Sequence, residues 1–152
     1  MTTLAYAANL TPDDDGRYVV TFPDFGWGAT DGATMEEAIF EAEDCLAEII
    51  ASTISDGEDL PEASAPVKGQ VLIYPPAEIA AKAMLYVTVK KMKFKTIDLA
   101  RGLHVDEKEA RRILNPHHKT KLPRLEQALR VVGKRMVLSF EDEDDTQKNV
   151  CA

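Results

Sequence analysis

Lys108, Arg111 and Arg112 stand three and four residues apart in a stretch, Asp106 to Leu114, that reads as a short helix. That spacing gathers three cations on one helical face. Cations grouped this way suit one kind of chemistry. They displace the counterions of a phosphate backbone, and arginine adds paired donors for base edges. Thr96 opens the segment before this helix, and His117, Lys119 and Lys121 follow it. Together these seven residues are the candidate DNA contacts. Adjacent His117 and His118 also suggest a metal. Neighbouring histidines do not converge as a helical i, i+4 pair does, so a polar loop near phosphate is the better reading.

A second set is acidic: Asp13, Asp14, Asp24 and Asp31, with the single tryptophan, Trp27, between glycines in their midst. Carboxylates in such number could hold two metals for nuclease chemistry. That needs groups converging from strands and a helix. Asp13 to Asp15 instead sit in a turn, and only Asp24 and Asp31 fall near strand ends. Docking of a basic partner is the better use of these charges, with Trp27 as an anchor. No catalytic residue, metal or cofactor is expected.

The two sets occupy separate halves of the 152-residue chain. The net charge of -8 hides the division. Residues 1–76 hold two Lys/Arg against fifteen Asp/Glu, and residues 77–140 hold fifteen against six. An acidic module and a basic module with different partners follow, and only the basic one can meet phosphates. Residues 141–152, with one base against five acids, read as an acidic disordered tail. Cys45 and Cys151 make no disulfide framework, no apolar run is long enough to cross a membrane, and the N-terminus lacks a signal-peptide pattern. A cytoplasmic protein is expected.

The elements that must position these residues are legible. Ala5 to Leu10 and Arg17 to Phe22 read as strands around an Asp-Gly turn, and Ala29 to Asp31 as a short third strand. Thr34-Met35-Glu36-Glu37 is a capping box that opens a long helix, with Ala38, Ala42, Leu46 and Ile49 on its inner stripe. Gln70 to Tyr74 is a fourth strand, and Pro75-Pro76 ends the module. The fold class is α+β: a β-β-β-α-β module over 1–76, then a helical domain over 77–140. That domain predicts a helix to about Met92, two short helices around a tight turn, a last helix from Pro123 to Gly133, and a terminal strand over 135–140. A lone strand needs a partner, which a dimer axis could supply.

Both halves, in this order, resemble the HicB antitoxins of bacterial HicA–HicB toxin–antitoxin modules, from about Leu4 to Phe140. The residues that carry this are Gly16-Arg17-Tyr18-Val19-Val20-Thr21-Phe22-Pro23-Asp24 and Gly32-Ala33-Thr34-Met35-Glu36-Glu37-Ala38, then Asp98-Leu99-Ala100-Arg101, Arg111-Arg112-Ile113-Leu114 and His117 to Pro123. The resemblance implies a partial ribonuclease H-like first module that masks a HicA-like mRNA-cleaving toxin. It implies a repressor-type helix-turn-helix that binds the operator of its own operon; a lone unit reads one half-site, so a homodimer on palindromic DNA is expected, with dimer or tetramer left open. Two departures stand out. Phe25-Gly26-Trp27-Gly28 replaces the Pro-Gly-Cys-like turn of many relatives. His104 stands near a turn position usually held by Gly, where a positive φ would strain it. A transcription regulator with a small-molecule-sensing first module is the alternative from another class. A small basic protein encoded in the neighbouring frame would favour the antitoxin.

Overall fold

The computed structural model describes residues 1–142. The acidic tail predicted over 141–152, with Cys151, lies outside them apart from exposed Glu141 and Asp142. The elements run β1 (Tyr6–Pro12), β2 (Tyr18–Thr21), β3 (Ala29–Gly32), α1 (Met35–Ser55), β4 (Gln70–Ile73), α2 (Ala77–Met92), α3 (Thr96–Leu103), α4 (Glu107–Leu114) and α5 (Leu122–Val131). The fold is α+β, with an antiparallel sheet in the first half and helices alone in the second. By packing, Met1–Ile49 and Pro61–Pro76 form one unit together with residues from Ser139. Ile50–Leu60 and Ala77–Leu138 form the other.

In the first unit the sheet order is β3-β2-β1-β4, every pair antiparallel. The β1–β2 hairpin closes through Asp13, whose Oδ1 accepts from the amides of Asp15 (2.9 Å) and Arg17 (2.8 Å), with Gly16 at φ 77°. β3 and β4 are opposite edges, so the chain must cross the sheet between them. A helix of 21 residues does so. Its start is capped as the sequence predicts: Thr34 Oγ1 accepts from the Glu37 amide (3.1 Å), and Glu37 reaches back to the amide of Ala33 (2.8 Å).

Register decides which side of the sheet is covered. A Cβ on Gly32 would lie 2.3 Å from the Ala38 backbone nitrogen, so Gly32 faces α1 at a close approach. Gly32 pairs with Tyr18, and alternation then places Val20, Ala8, Tyr6, Val71 and Ile73 on the same face. All five are buried, as are Ala38, Ala42, Leu46 and Ile49 of α1. The opposite face is polar at its centre. Gln70 Nε2 donates to Asn9 Oδ1 (2.9 Å) and Asn9 Nδ2 to Thr21 Oγ1 (3.4 Å), a ladder across three strands.

The second unit buries Leu85, Leu99, Ala100, Ala110, Ile113, Leu125, Ala128 and Leu129 around one core. Gly102 lets α3 approach α5, since a Cβ there would lie 2.5 Å from a Val131 methyl. Asp106 caps α4 by accepting from the Glu109 amide (2.7 Å). His104 has φ 55° and is left-handed, and the amide of Val105 bonds back to the Ala100 carbonyl (3.0 Å). The same reverse turn closes α2 at Lys93 (φ 51°). One expectation fails. Residues 135–140 form no strand: among the described residues no strand pairs with them, and Val137, Leu138 and Phe140 are exposed.

Two outcomes follow. The left-handed backbone at His104 costs about 1 kcal/mol, and glycine's greater freedom in the unfolded chain returns part of any relief. His104→Gly should therefore leave the helical unit unchanged or raise its stability by about 0.5 kcal/mol. A clear fall in melting temperature contradicts this. Tyr6 is buried beside Phe25 (ring centroids 4.6 Å apart) and its hydroxyl donates to the Pro61 carbonyl (3.0 Å). Burial first, then the Asp24 charge, push its pKa up to about 12 from 10.0. The unfolded chain thus loses this proton first. Stability from Tyr6 is full below pH 10 and is lost as pH rises toward 12. Urea midpoints should fall less steeply over that range in Tyr6→Phe; equal slopes contradict the assignment.

Candidate functional site

The basic site is built on α4. Ala110 and Ile113 are fully buried and Leu114 is half-buried, which turns Lys108, Arg111, Arg112 and Asn115 to the opposite, exposed side. A three-residue turn, His104 to Asp106, separates α4 from α3. The two arginines rest against their own helix: Arg111 on Glu107 and Arg112 on Glu109, each at 3.5 Å. Such exposed pairs are worth well under about 1 kcal/mol, so both guanidiniums are available to a stronger anion. Thr96 lies half-buried at the first position of α3.

Beyond α4 the loop carries His117, Lys119 and Lys121, all exposed. They do not play equal parts. The His117 ring Nδ1 is hydrogen-bonded to Ser55 Oγ (3.2 Å), and its amide donates to Asn115 Oδ1 (2.9 Å). His117 therefore shapes the loop. Lys119 and Lys121 are open cations beside it. Thr120, between them, is buried. Its amide donates to Glu78 Oε1 of α2 (2.8 Å).

A lysine that local sequence spacing does not single out as part of the site sits under this loop. Lys82 of α2 is 2% exposed. Its ammonium donates to the carbonyls of Asn115 (2.6 Å), His118 and Arg112 (3.4 Å). Burial pulls its pKa below the ordinary lysine value, and the Glu78 charge draws it partly back. The signal was present: Lys82 stands three residues from both Ile79 and Leu85, on the inner stripe of an apolar helix.

The acidic set divides differently from its sequence grouping. Asp13 is spent on the hairpin turn. Both oxygens of Asp24 are taken by Ser64, from its amide (2.9 Å) and its hydroxyl (2.7 Å). Asp31 pairs with Arg17 at 2.5 Å on the sheet face turned from α1, and that hydrogen bond holds the guanidinium pKa above its usual value. Asp14 and Trp27 remain exposed, Trp27 at 49%. Among the described residues, no three His, Cys, Asp or Glu side chains converge as a metal-holding group. No helix among them is long and apolar enough to cross a membrane. A residue not singled out from the sequence joins the acidic surface. Phe40 is 66% exposed on α1, one turn from both Glu36 and Asp44.

Residues 5–84 match the family model described as the HicB_like antitoxin of bacterial toxin–antitoxin systems. Antitoxin HicB 2 of Photorhabdus laumondii is 33% identical over 135 residues, covering 89% of this chain and 95% of that protein. Antitoxin HicB of Escherichia coli K12 is 30% identical, covering 89% and 98%. A toxin–antitoxin complex from Streptococcus pneumoniae shares 35% identity over 41% of this chain and 45% of that one, with a TM-score of 0.38. The relatives are antitoxins and not enzymes, and they run the length of both modules. The chain belongs to the HicB-like family and is an antitoxin of a bacterial toxin–antitoxin system.

Proposed function

We propose that the two modules divide the work of an antitoxin and autorepressor. The acidic module, residues 1–76, covers the nucleic-acid-binding or catalytic surface of a basic, HicA-like mRNA-cleaving toxin and neutralises it sterically. The basic domain, residues 77–140, binds the operator of its own operon and represses transcription. The observation that carries the second half is the face of α4. Lys108, Arg111, Arg112 and Asn115 stand exposed opposite Ala110 and Ile113, behind a three-residue turn. That is the layout by which a second helix enters a major groove. A single such unit reads one half-site, so the operator-bound species is a homodimer on a palindrome, with half-sites about 34 Å apart. The exposed Val137, Leu138 and Phe140 suit a strand that forms only against a second copy.

For the toxin side, support comes from charge. Residues 1–76 hold fifteen acids against two bases, which favours a basic partner in both encounter and register. Asp14, Asp31 and Trp27 are the exposed members of the acidic set; Asp31 is paired with Arg17, which makes Asp14 and Trp27 the first choice as contacts.

Two measurements test the reading. Arg111→Ala with Arg112→Ala should weaken binding to the DNA upstream of the reading frame by at least about tenfold, at one bidentate contact's worth of energy. Unchanged affinity removes α4 from the groove. Co-expression with a HicA-like small basic protein from an adjoining reading frame should yield a complex and restore growth. Trp27→Ala should weaken that complex by about tenfold or more if the indole is an anchor. A complex of undiminished affinity would exclude Trp27 from the interface.

A further inference from the structure

Lys82 and Glu78 stand one turn apart on α2 and grip the end of α4 and the following loop from beneath. A lysine ammonium has three donors and no acceptor. Here it faces three backbone carbonyls, those of Arg112, Asn115 and His118, so its burial is matched bond for bond. Two of these belong to the negative end of α4, where a cation is favoured. Glu78 holds the Thr120 amide, two residues further along. Between and beside these anchors the exposed side chains are His118, Lys119 and Lys121. The clamp touches backbone only. It leaves these side chains exposed to solvent while fixing the chain that carries them.

A loop that must be ordered on binding costs affinity; one already ordered does not. We propose that Lys82 and Glu78 are positioning residues for DNA, locking residues 115–121 to the end of α4 so that Lys119, Lys121 and the α4 face meet the phosphates as one preset surface. This rests on the DNA-binding reading above. Lys82 itself touches no phosphate. Its effect passes through the loop.

The test uses the full chain and, as probe, the double-stranded segment immediately upstream of its own reading frame, well below the melting temperature. Four proteins form a cycle: wild type, Lys82→Met, Lys119→Ala with Lys121→Ala, and all three substitutions together. Affinity is measured against salt for each. Lys82→Met should weaken binding by roughly tenfold through lost preorganisation. It should also flatten the salt dependence by one to two contacts, at about 0.9 in log–log slope per phosphate. In that background the loop substitutions should cost little more. A lysine that only supports stability would leave the slope unchanged and the loop substitutions at full cost, and that result overturns the proposal. If Lys82→Met does not fold, Glu78→Ala, which frees the Thr120 amide, enters the same cycle with the same two criteria. Arg111→Ala with Arg112→Ala separates the two ideas. Sensitivity there with an additive Lys82 cycle sinks the clamp alone, whereas insensitivity there sinks the DNA reading and the clamp with it.

Discussion

Every helix leaves its last carbonyls without intrahelical partners, and something must satisfy them. In this chain one solution recurs. A residue in the left-handed region reverses the backbone so that its own amide and the next one bond back into the helix. Gly57 does this after α1, Lys93 after α2, His104 after α3 and Gly133 after α5. Among the described helices, α4 alone departs. Asn115 follows it in an extended conformation and Pro116 comes next. Proline has no amide to offer, and a turn of the common kind is unavailable. The carbonyls of Arg112 and Asn115 each accept one backbone amide, from Asn115 (3.2 Å) and from His118 (3.2 Å), and Lys82 adds a second donor to both. The end of the helix with the basic exposed face is therefore braced by a buried charge from another helix, and its loop is held by the same element. Truncating such a buried donor removes three hydrogen bonds at once, which is why the site is costly to lose.

The first unit obeys a different constraint. Four strands and one helix can bury one face of the sheet. The covered face is apolar from Val71 to Val20, and α1 comes close enough that Gly32 cannot carry a side chain without displacing it. The other face is stitched by the Gln70–Asn9–Thr21 ladder and by the Arg17–Asp31 pair. Polar groups that bond one another along a sheet can stay in water without inviting edge or face aggregation. The unit remains strongly acidic, with Glu36, Glu37, Glu41, Glu43, Asp44 and Glu48 all on α1. That charge is no help to a fold.

Several acids that look available in the sequence are occupied in the structure. Asp13 organises a hairpin and Asp24 ties the loop after β2 to Ser64, forty residues on. Their carboxylates satisfy backbone amides that would otherwise be left unpaired at a loop junction. Local spacing could announce the first, since an aspartate that opens a four-residue turn commonly bonds ahead. Nothing in local spacing could announce the second. The same contrast separates Lys119 and Lys121, open in the loop, from His117, whose ring is held by Ser55 of α1.

What the sequence determined by itself was everything that depends on short separations. The order of strands and helices, the Thr34 and Asp106 caps, the strained turn at His104 and the division of charge all follow from residues within a few positions of one another. Hydrophobic period, capping and turn chemistry are local forces, and the chain obeys them in both halves. What only the tertiary structure decided was which polar groups are spent. Lys82 caps a helix thirty residues away, Glu78 holds an amide forty-two away, and Asp24 finds Ser64. The strand expected at 135–140 finds no pairing strand among the described residues. Hydrogen-bond partners are chosen by proximity in space, after the core has set the distances. A one-dimensional pattern can show that a charge is present on an inner stripe, but not which carbonyls will be waiting for it.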